Sequence, residues 1–222
     1  MGSPTDDSAR LVAFDVDGTL VGSRDGRVVW QFLNTHFGGD AQINRNRFQS
    51  YLDGRISYRR WVDLDVGDWV AVGARRDEIA AVILEHLYLL PGARECVWTL
   101  RERGFQLAVI SGTIDLTLEL LFPRHPFDEV FTNRIWFNDE GLIAGWEATP
   151  YDMEGKAEAL RAIAGRRQVP LAETLYVGDN INDIQVMQAA GRAIAFEPKD
   201  PTVSAAADHT VHGDLRRVLE LV

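Results

Sequence analysis

Two aspartates at alternate positions are the first residues in this chain able to do chemistry. Asp15-Val16-Asp17-Gly18-Thr19 directly follows a short apolar run. Side chains at i and i+2 of extended backbone project to the same side, so both carboxylates can face one substrate or one metal. Gly18 permits a sharp exit from the run, and Thr19 can cap the turn or bond an oxyanion. Calcium loops and ordinary turns use the same letters, so this motif alone leaves both readings open.

Three further clusters share that placement. Ser111-Gly112-Thr113 follows a second apolar run; hydroxyls and free N–H groups at a helix N-terminus make an anion site, or an ordinary helix cap. Gly178-Asp179-Asn180-Ile181-Asn182-Asp183 follows another run and opens a helix. Its carboxylates and amides are hard oxygen ligands suited to Mg²⁺, or else solvated members of a capped loop. Lys156 lies early in the preceding helical pattern. A helix lysine is ordinarily a surface charge, but the 23 basic residues include only two lysines, Lys156 and Lys199.

The elements that must position these residues can be read from periodicity. Leu11–Phe14, Leu107–Ile110, Thr174–Val177 and Ala193–Phe196 are apolar throughout, as strands buried on both faces of a parallel sheet are. Helical patterns over 92–103, 113–122, 153–165 and 182–190 alternate with them, which implies right-handed βαβ units. The expected fold is α/β, a Rossmann-like three-layer core around a central parallel sheet. Ligands of such sheets bind beyond the carboxyl ends of the strands, where the clusters above lie.

Residues 22–89 break the alternation, being longer than a crossover needs. Helical patterns cover 28–37, 44–52, 58–70 and 76–90. This stretch reads as a helical cap inserted after the first strand, with 10–21 and 90–222 forming the core. Two runs around Asn138-Asp139-Glu140-Gly141 read as a hairpin.

Composition excludes several classes. The 222 residues carry a formal net charge of −10, which disfavours nucleic acid and anionic membranes as partners. The single cysteine, Cys96, cannot form an internal disulfide. The polar, acidic Met1–Ser8 segment is not a signal peptide, and the longest apolar stretch, 79–90, is too short for a bilayer. A cytoplasmic enzyme is expected. His36, His86, His125, His209 and His212 suggest no metal-ligand set.

Taken jointly, the four clusters resemble the haloacid dehalogenase superfamily, and within it the phosphoserine-phosphatase-like phosphatases. The resemblance implies a Mg²⁺-dependent phosphomonoester hydrolase acting on a small phosphorylated metabolite. It makes Asp15 the nucleophile that becomes an aspartyl phosphate, and Asp17 the acid and base. It assigns Mg²⁺ to the Asp15 carboxylate, the Asp17 carbonyl and Asp179. Ser111, Gly112 and Lys156 then bind the phosphate, Asn182 reaches the substrate, and Thr19 and Asp183 support them. An aspartate at position 17 favours phosphatases and phosphomutases over dehalogenases. A sugar phosphomutase and a non-catalytic metabolite-binding protein are the alternatives.

The family pattern fails in the cap. Phosphoserine phosphatases hold the substrate's ammonium with a glutamate nine residues after the nucleophile; Arg24 stands there. The arginine that holds the carboxylate falls on Asp65 by ungapped counting from Gly54-Arg55-Ile56-Ser57-Tyr58, with Arg59 and Arg60 nearby. A cationic Arg24 cannot accept from an ammonium group, so the expected substrate is not phosphoserine, and Arg24 becomes a candidate phosphate-side cation. Trp61, Asp63, Asp65, Asp68 and Trp69 form an aromatic–acidic cluster that could recognise sugar hydroxyls or simply pack an amphipathic helix.

Overall fold

The four-residue run Leu11–Phe14 becomes the central strand β1, and all four side chains are buried. Val12 and Phe14 belong to one apolar cluster and Leu11 and Ala13 to another, so both sheet faces are covered. That is why the run lacks polar alternation. The computed structural model describes residues 10–38, 40 and 42–222; the Met1–Ser8 segment discussed above lies outside them.

After β1 come β2 (Val21–Ser23), α1 (Val29–Gly38), α2 (Gln42–Leu52), α3 (Tyr58–Ala71), α4 (Arg76–His86) and β3 (Leu87–Leu89). The chain continues through α5 (Ala93–Glu102), β4 (Gln106–Ile114), α6 (Asp115–Leu121), β5 (Glu129–Phe137) and β6 (Ile143–Glu147). It closes with α7 (Lys156–Arg167), β7 (Thr174–Gly178), α8 (Ile184–Ala189), β8 (Arg192–Phe196), α9 (Pro201–Ala206) and β9 (His209–Val211). Seven strands form one sheet in the order β6-β5-β4-β1-β7-β8-β9. All pair in parallel except the β5–β6 hairpin. Helices cover both faces, giving the expected three-layer α/β core.

Strands β2 and β3 form a separate antiparallel ribbon, with Val21 opposite Leu89 and Ser23 opposite Leu87. The four helices α1–α4 run between them. They are not independent of the core: Val62, Val66 and Trp69 of α3 share one apolar cluster with Val12 and Phe14 of β1.

Three boundaries differ from the sequence reading. Residues 87–90 were expected to extend α4, but pairing with β2 pulls Leu87–Leu89 into a strand. Ser111-Gly112-Thr113 was expected at a helix start, yet β4 runs on to Ile114, which pairs with Asn133 of β5, and α6 begins at Asp115. Helix α7 begins at Lys156 rather than Met153, because Gly155 before it takes φ +84°. Among the described residues, no helix is long and apolar enough to cross a membrane, and Cys96 is buried and free.

Candidate active site

β1 is flanked by β4 and β7, so the residues at the carboxyl ends of these three strands are brought together. Asp15 is buried just beyond β1, and its N–H donates to the Val177 carbonyl of β7 at 2.9 Å. Lys156, 2% exposed, reaches in from the first turn of α7. Its Nζ lies 3.0 Å from Asp15 Oδ1 and 2.7 Å from Asp183 Oδ1. Burial works against the Lys156 charge, but the two carboxylates hold its pKa well above the usual lysine value. Asp183 is fully engaged: Oδ1 also accepts from the Tyr176 hydroxyl at 2.7 Å, and Oδ2 accepts from the Asp179 and Asn180 N–H groups.

Three carboxyls of this cluster, Asp15, Asp17 and Asp179, have raised pKa values. Burial, followed by the neighbouring Asp15 charge, pushes the Asp17 carboxyl up to about 7. Burial also raises Asp15 to about 6, against the pull of Lys156. Asp179 rises to about 7 through burial and then repulsion from Asp15. Thr19 Oγ1 donates to Asp179 Oδ1 at 3.4 Å. Gly18 takes φ +95°, and a Cβ there would collide with the Asp179 carboxylate. The glycine of the Asp-x-Asp-Gly motif is thus required by both its backbone conformation and that close approach.

A cavity of about 260 Å³ opens above these groups, lined by Asp15, Asp17, Ser111, Gly112 and Asn182 at its polar end. The Gly112 carbonyl is fixed from two sides, by Trp30 Nε1 of α1 at 2.7 Å and Asn133 Nδ2 of β5 at 2.6 Å. Asn133 Nδ2 also donates to the Tyr58 hydroxyl at 2.8 Å, and its Oδ1 accepts from the Thr149 N–H. Helix α1 is therefore bonded directly to the strand end that carries Ser111 and Gly112, and α3 is linked to it through Asn133 of β5. Trp30→Phe keeps the ring but removes the donor; one neutral hydrogen bond contributes about 0.5–1.5 kcal/mol. The expected result is up to about tenfold weaker inorganic-phosphate inhibition with a melting temperature close to wild type. Unchanged inhibition would show that the Trp30 bond does not orient the Gly112 peptide.

The structure brings together Asp15, Asp17, Thr19, Ser111, Gly112, Lys156, Asp179, Asn182 and Asp183. It does not bring Arg24 to them. Arg24 is exposed in the turn that follows β2 and does not line the cavity. Arg59 and Arg60 are exposed as well. The Trp–Asp cluster divides. Trp69 is wholly buried and donates to Asn34 Oδ1, while Asp63 accepts from Trp146 Nε1 at 2.9 Å. Arg47 spans Asp65 at 2.5 Å and Asp68 at 2.6 Å. Only Trp61 and Asp65 of the five line the cavity.

Sequence reasoning missed Asp152, which lines the cavity and accepts from Asn182 Nδ2 at 3.3 Å. Its carboxylate lies against Gly112, where any Cβ would clash. It also missed Lys199, whose Nζ lies 2.7 Å from Asp179 Oδ2. The shortage of lysines was the one available signal for Lys199; Asp152 sits in an irregular loop and carries none.

A family model described as haloacid dehalogenase-like hydrolase matches residues 9–191. The chain belongs to that family. The chain is 35% identical over 216 residues to phosphoserine phosphatase SerB2 of Mycobacterium tuberculosis, covering 96% of this chain and 50% of the relative. It is 26% identical to the phosphoserine phosphatase of Methanocaldococcus jannaschii, covering 96% of this chain and 97% of that protein. A substrate-bound phosphoserine phosphatase structure superposes with a TM-score of 0.74 at 25% identity, covering 97% of this chain and 99% of the other. The chain thus spans about half the length of the Mycobacterium tuberculosis relative and the whole of smaller ones.

The donor set of this family member fits a hard divalent cation. Carboxylate oxygens of Asp15, Asp179 and Asp183 lie within 4.8 Å of one another, all buried. Asp183 is already saturated by Lys156, Tyr176 and two N–H groups. Asp15 and Asp179 are therefore the carboxylates best placed to hold Mg²⁺. Their native pKa values, and that of Asp17, lie above the unfolded value near ~4. The metal-free native state thus binds extra protons between about pH 4 and 7, and their contribution to stability is lost as pH rises through that window. A bound cation relieves the cost of ionising them. Saturating Mg²⁺ is expected to raise the melting temperature by about 5–10 °C near pH 8 and by clearly less at pH 5. Equal shifts at the two pH values would sink the assignment of these carboxylates to the metal.

Proposed function

We propose that this chain hydrolyses phosphate monoesters of small metabolites through an aspartyl phosphate on Asp15. The observation that carries this reading is the buried Lys156 ammonium bonded to Asp15, with the Asp17 carboxyl facing the same cavity. Lys156 holds Asp15 in its ionised, nucleophilic form and offsets the charge of an arriving phosphate. The Ser111 hydroxyl and the Gly112 N–H bind phosphoryl oxygens. An Asp15 oxygen attacks phosphorus, the bond to the alcohol oxygen breaks, and Asp17 gives that oxygen its proton. Asp17 then takes a proton from water as it attacks the phosphoryl group, which releases inorganic phosphate and restores Asp15. A carboxyl held up to about 7 is suited to both proton transfers near neutral pH. Asp15, Asp179 and the Asp17 carbonyl are the groups assigned to Mg²⁺, which when bound lessens the repulsion between a carboxylate and a phosphate dianion. Residues 22–89 act in this reading as a cap closing over the strand ends.

We also infer that phosphoserine is a poor substrate, although the relatives named above are phosphoserine phosphatases. Arg24 lies outside the cavity, and Arg47 is already shared between Asp65 and Asp68. No cavity-lining cation among the described residues lacks a carboxylate partner to leave for a substrate carboxylate.

Phosphate release across a metabolite panel, with Mg²⁺ or with EDTA, tests both statements. Mg²⁺-dependent release from at least one monoester is expected. Silence across the panel overturns the hydrolase reading, and a leading kcat/KM for phosphoserine overturns the exclusion.

A further inference from the structure

Part of the cavity wall is a different chemical environment from its carboxylate floor. Trp30 of α1, Phe48 of α2, and Tyr58 and Trp61 of α3 wall it with aromatic rings. Trp61 packs against Phe48 at 5.7 Å and Tyr58 at 6.2 Å between ring centroids. Aromatic faces favour flat or ring-shaped partners.

Two buried polar side-chain atoms of cavity-lining residues have no partner. Trp61 Nε1 is buried and donates to nothing; Asn182 Oδ1 is buried and accepts from nothing. Both residues line the cavity. A buried donor left unpaired is costly, so the pair marks places where a ligand's own polar atoms complete the site. Trp61 Nε1 offers only a donor and therefore asks for an acceptor oxygen or ring nitrogen on the ligand.

The cations nearby are already paired. Arg47 occupies Asp65, Asn182 Nδ2 donates to Asp152, and Lys199 sits on Asp179. A substrate carboxylate would find two acids, Asp65 and Asp152, and no unpaired cation.

We propose that the cavity selects phosphate monoesters of a ring-bearing alcohol that carries no carboxylate, with Trp61 the specificity-determining residue. The ring lies against the aromatic wall, and an acceptor on it receives the Trp61 N–H. This deepens the phosphomonoesterase reading and rests on it. A sugar and a nucleoside share the required chemistry, and the two arms of the test separate them.

The full chain with Mg²⁺ is assayed on glucose 6-phosphate, adenosine 5′-monophosphate, glycerol 3-phosphate, phosphoserine and phosphocholine. One of the first two is expected to exceed the other three at least tenfold in kcat/KM. Trp61→Phe, which keeps a ring but loses the donor, is expected to raise the KM of that ester about three- to tenfold relative to the KM of glycerol 3-phosphate. Calorimetry of the same five compounds on Asp15→Asn, which needs no turnover, is expected to give the same order of affinity. Preference for phosphoserine, phosphocholine or glycerol 3-phosphate overturns the proposal, as does a KM ratio unmoved by Trp61→Phe. If no ester is hydrolysed, the phosphatase reading falls on that result, while the calorimetric ranking still decides the ligand class.

Discussion

Asp15→Asn is expected to lose phosphate release by at least about 10³–10⁴-fold while remaining folded. The amide keeps the shape of the side chain but cannot be the anionic nucleophile, and removing such a group forfeits the covalent route outright. Folding survives because Lys156 retains Asp183 at 2.7 Å, so its ammonium is not left unpaired in the interior. Loss of one negative charge from a crowded cluster of buried acids also offsets the lost ion pair. The measurement is single-turnover phosphate release beside a thermal melt. Activity within tenfold of wild type would remove Asp15 from the nucleophile's role.

Lys156→Met is expected to be more damaging to the protein as a whole. Its ammonium is the shared counter-ion of Asp15 and Asp183, and the side chain is 1% exposed. Removing one partner of a buried ion pair costs about 3–5 kcal/mol, because the remaining charges stay desolvated. For a chain of this size that corresponds to a drop on the order of 10 °C in melting temperature. The deficit should widen as pH rises from about 5 to 8, since Asp15 then ionises without a partner. Turnover should fall at least about 100-fold. Lys156→Arg should not rescue either property, because a planar guanidinium does not fit the cradle of a compact ammonium. Denaturant titration of both variants decides the matter; a loss under 1 kcal/mol would mean that the ammonium does not bind the acids together.

Much of the carboxylate floor of the candidate site was legible because local sequence places it. Asp15, Asp17 and Asp179 stand at the ends of apolar runs, and a run buried on both faces can only be an inner strand whose end meets its neighbours' ends. Gly18 followed from the same motif. What escaped depends on contacts across long sequence separations. Asn133 bonds Gly112 and Tyr58, but nothing in the residues near position 133 marks it. Trp30 resembles any apolar residue on an amphipathic helix until its N–H is seen on the Gly112 carbonyl. Arg24 stands nine residues after Asp15 as counted, but in an exposed turn after β2 that does not line the cavity, and counting along a sequence does not carry that information. The Trp61–Trp69 cluster looked like one surface on paper. In the fold, α3 rolls Trp69 into the core and leaves Trp61 at the cavity.

The two lysines set apart by composition have converged on the same few carboxylates. Lys156 bonds Asp15 and Asp183, and Lys199 sits on Asp179. Every other basic side chain, histidines aside, is an arginine. Primary amines on the folded molecule, apart from the chain terminus, thus exist only at the site. Lys156 is sealed at 1% exposure, whereas Lys199 is 40% exposed. Acylating reagents and amine-reactive dyes, which scatter over most protein surfaces, have here a single accessible internal address. Its rate of labelling becomes a direct gauge of whether the neighbouring carboxylate is occupied.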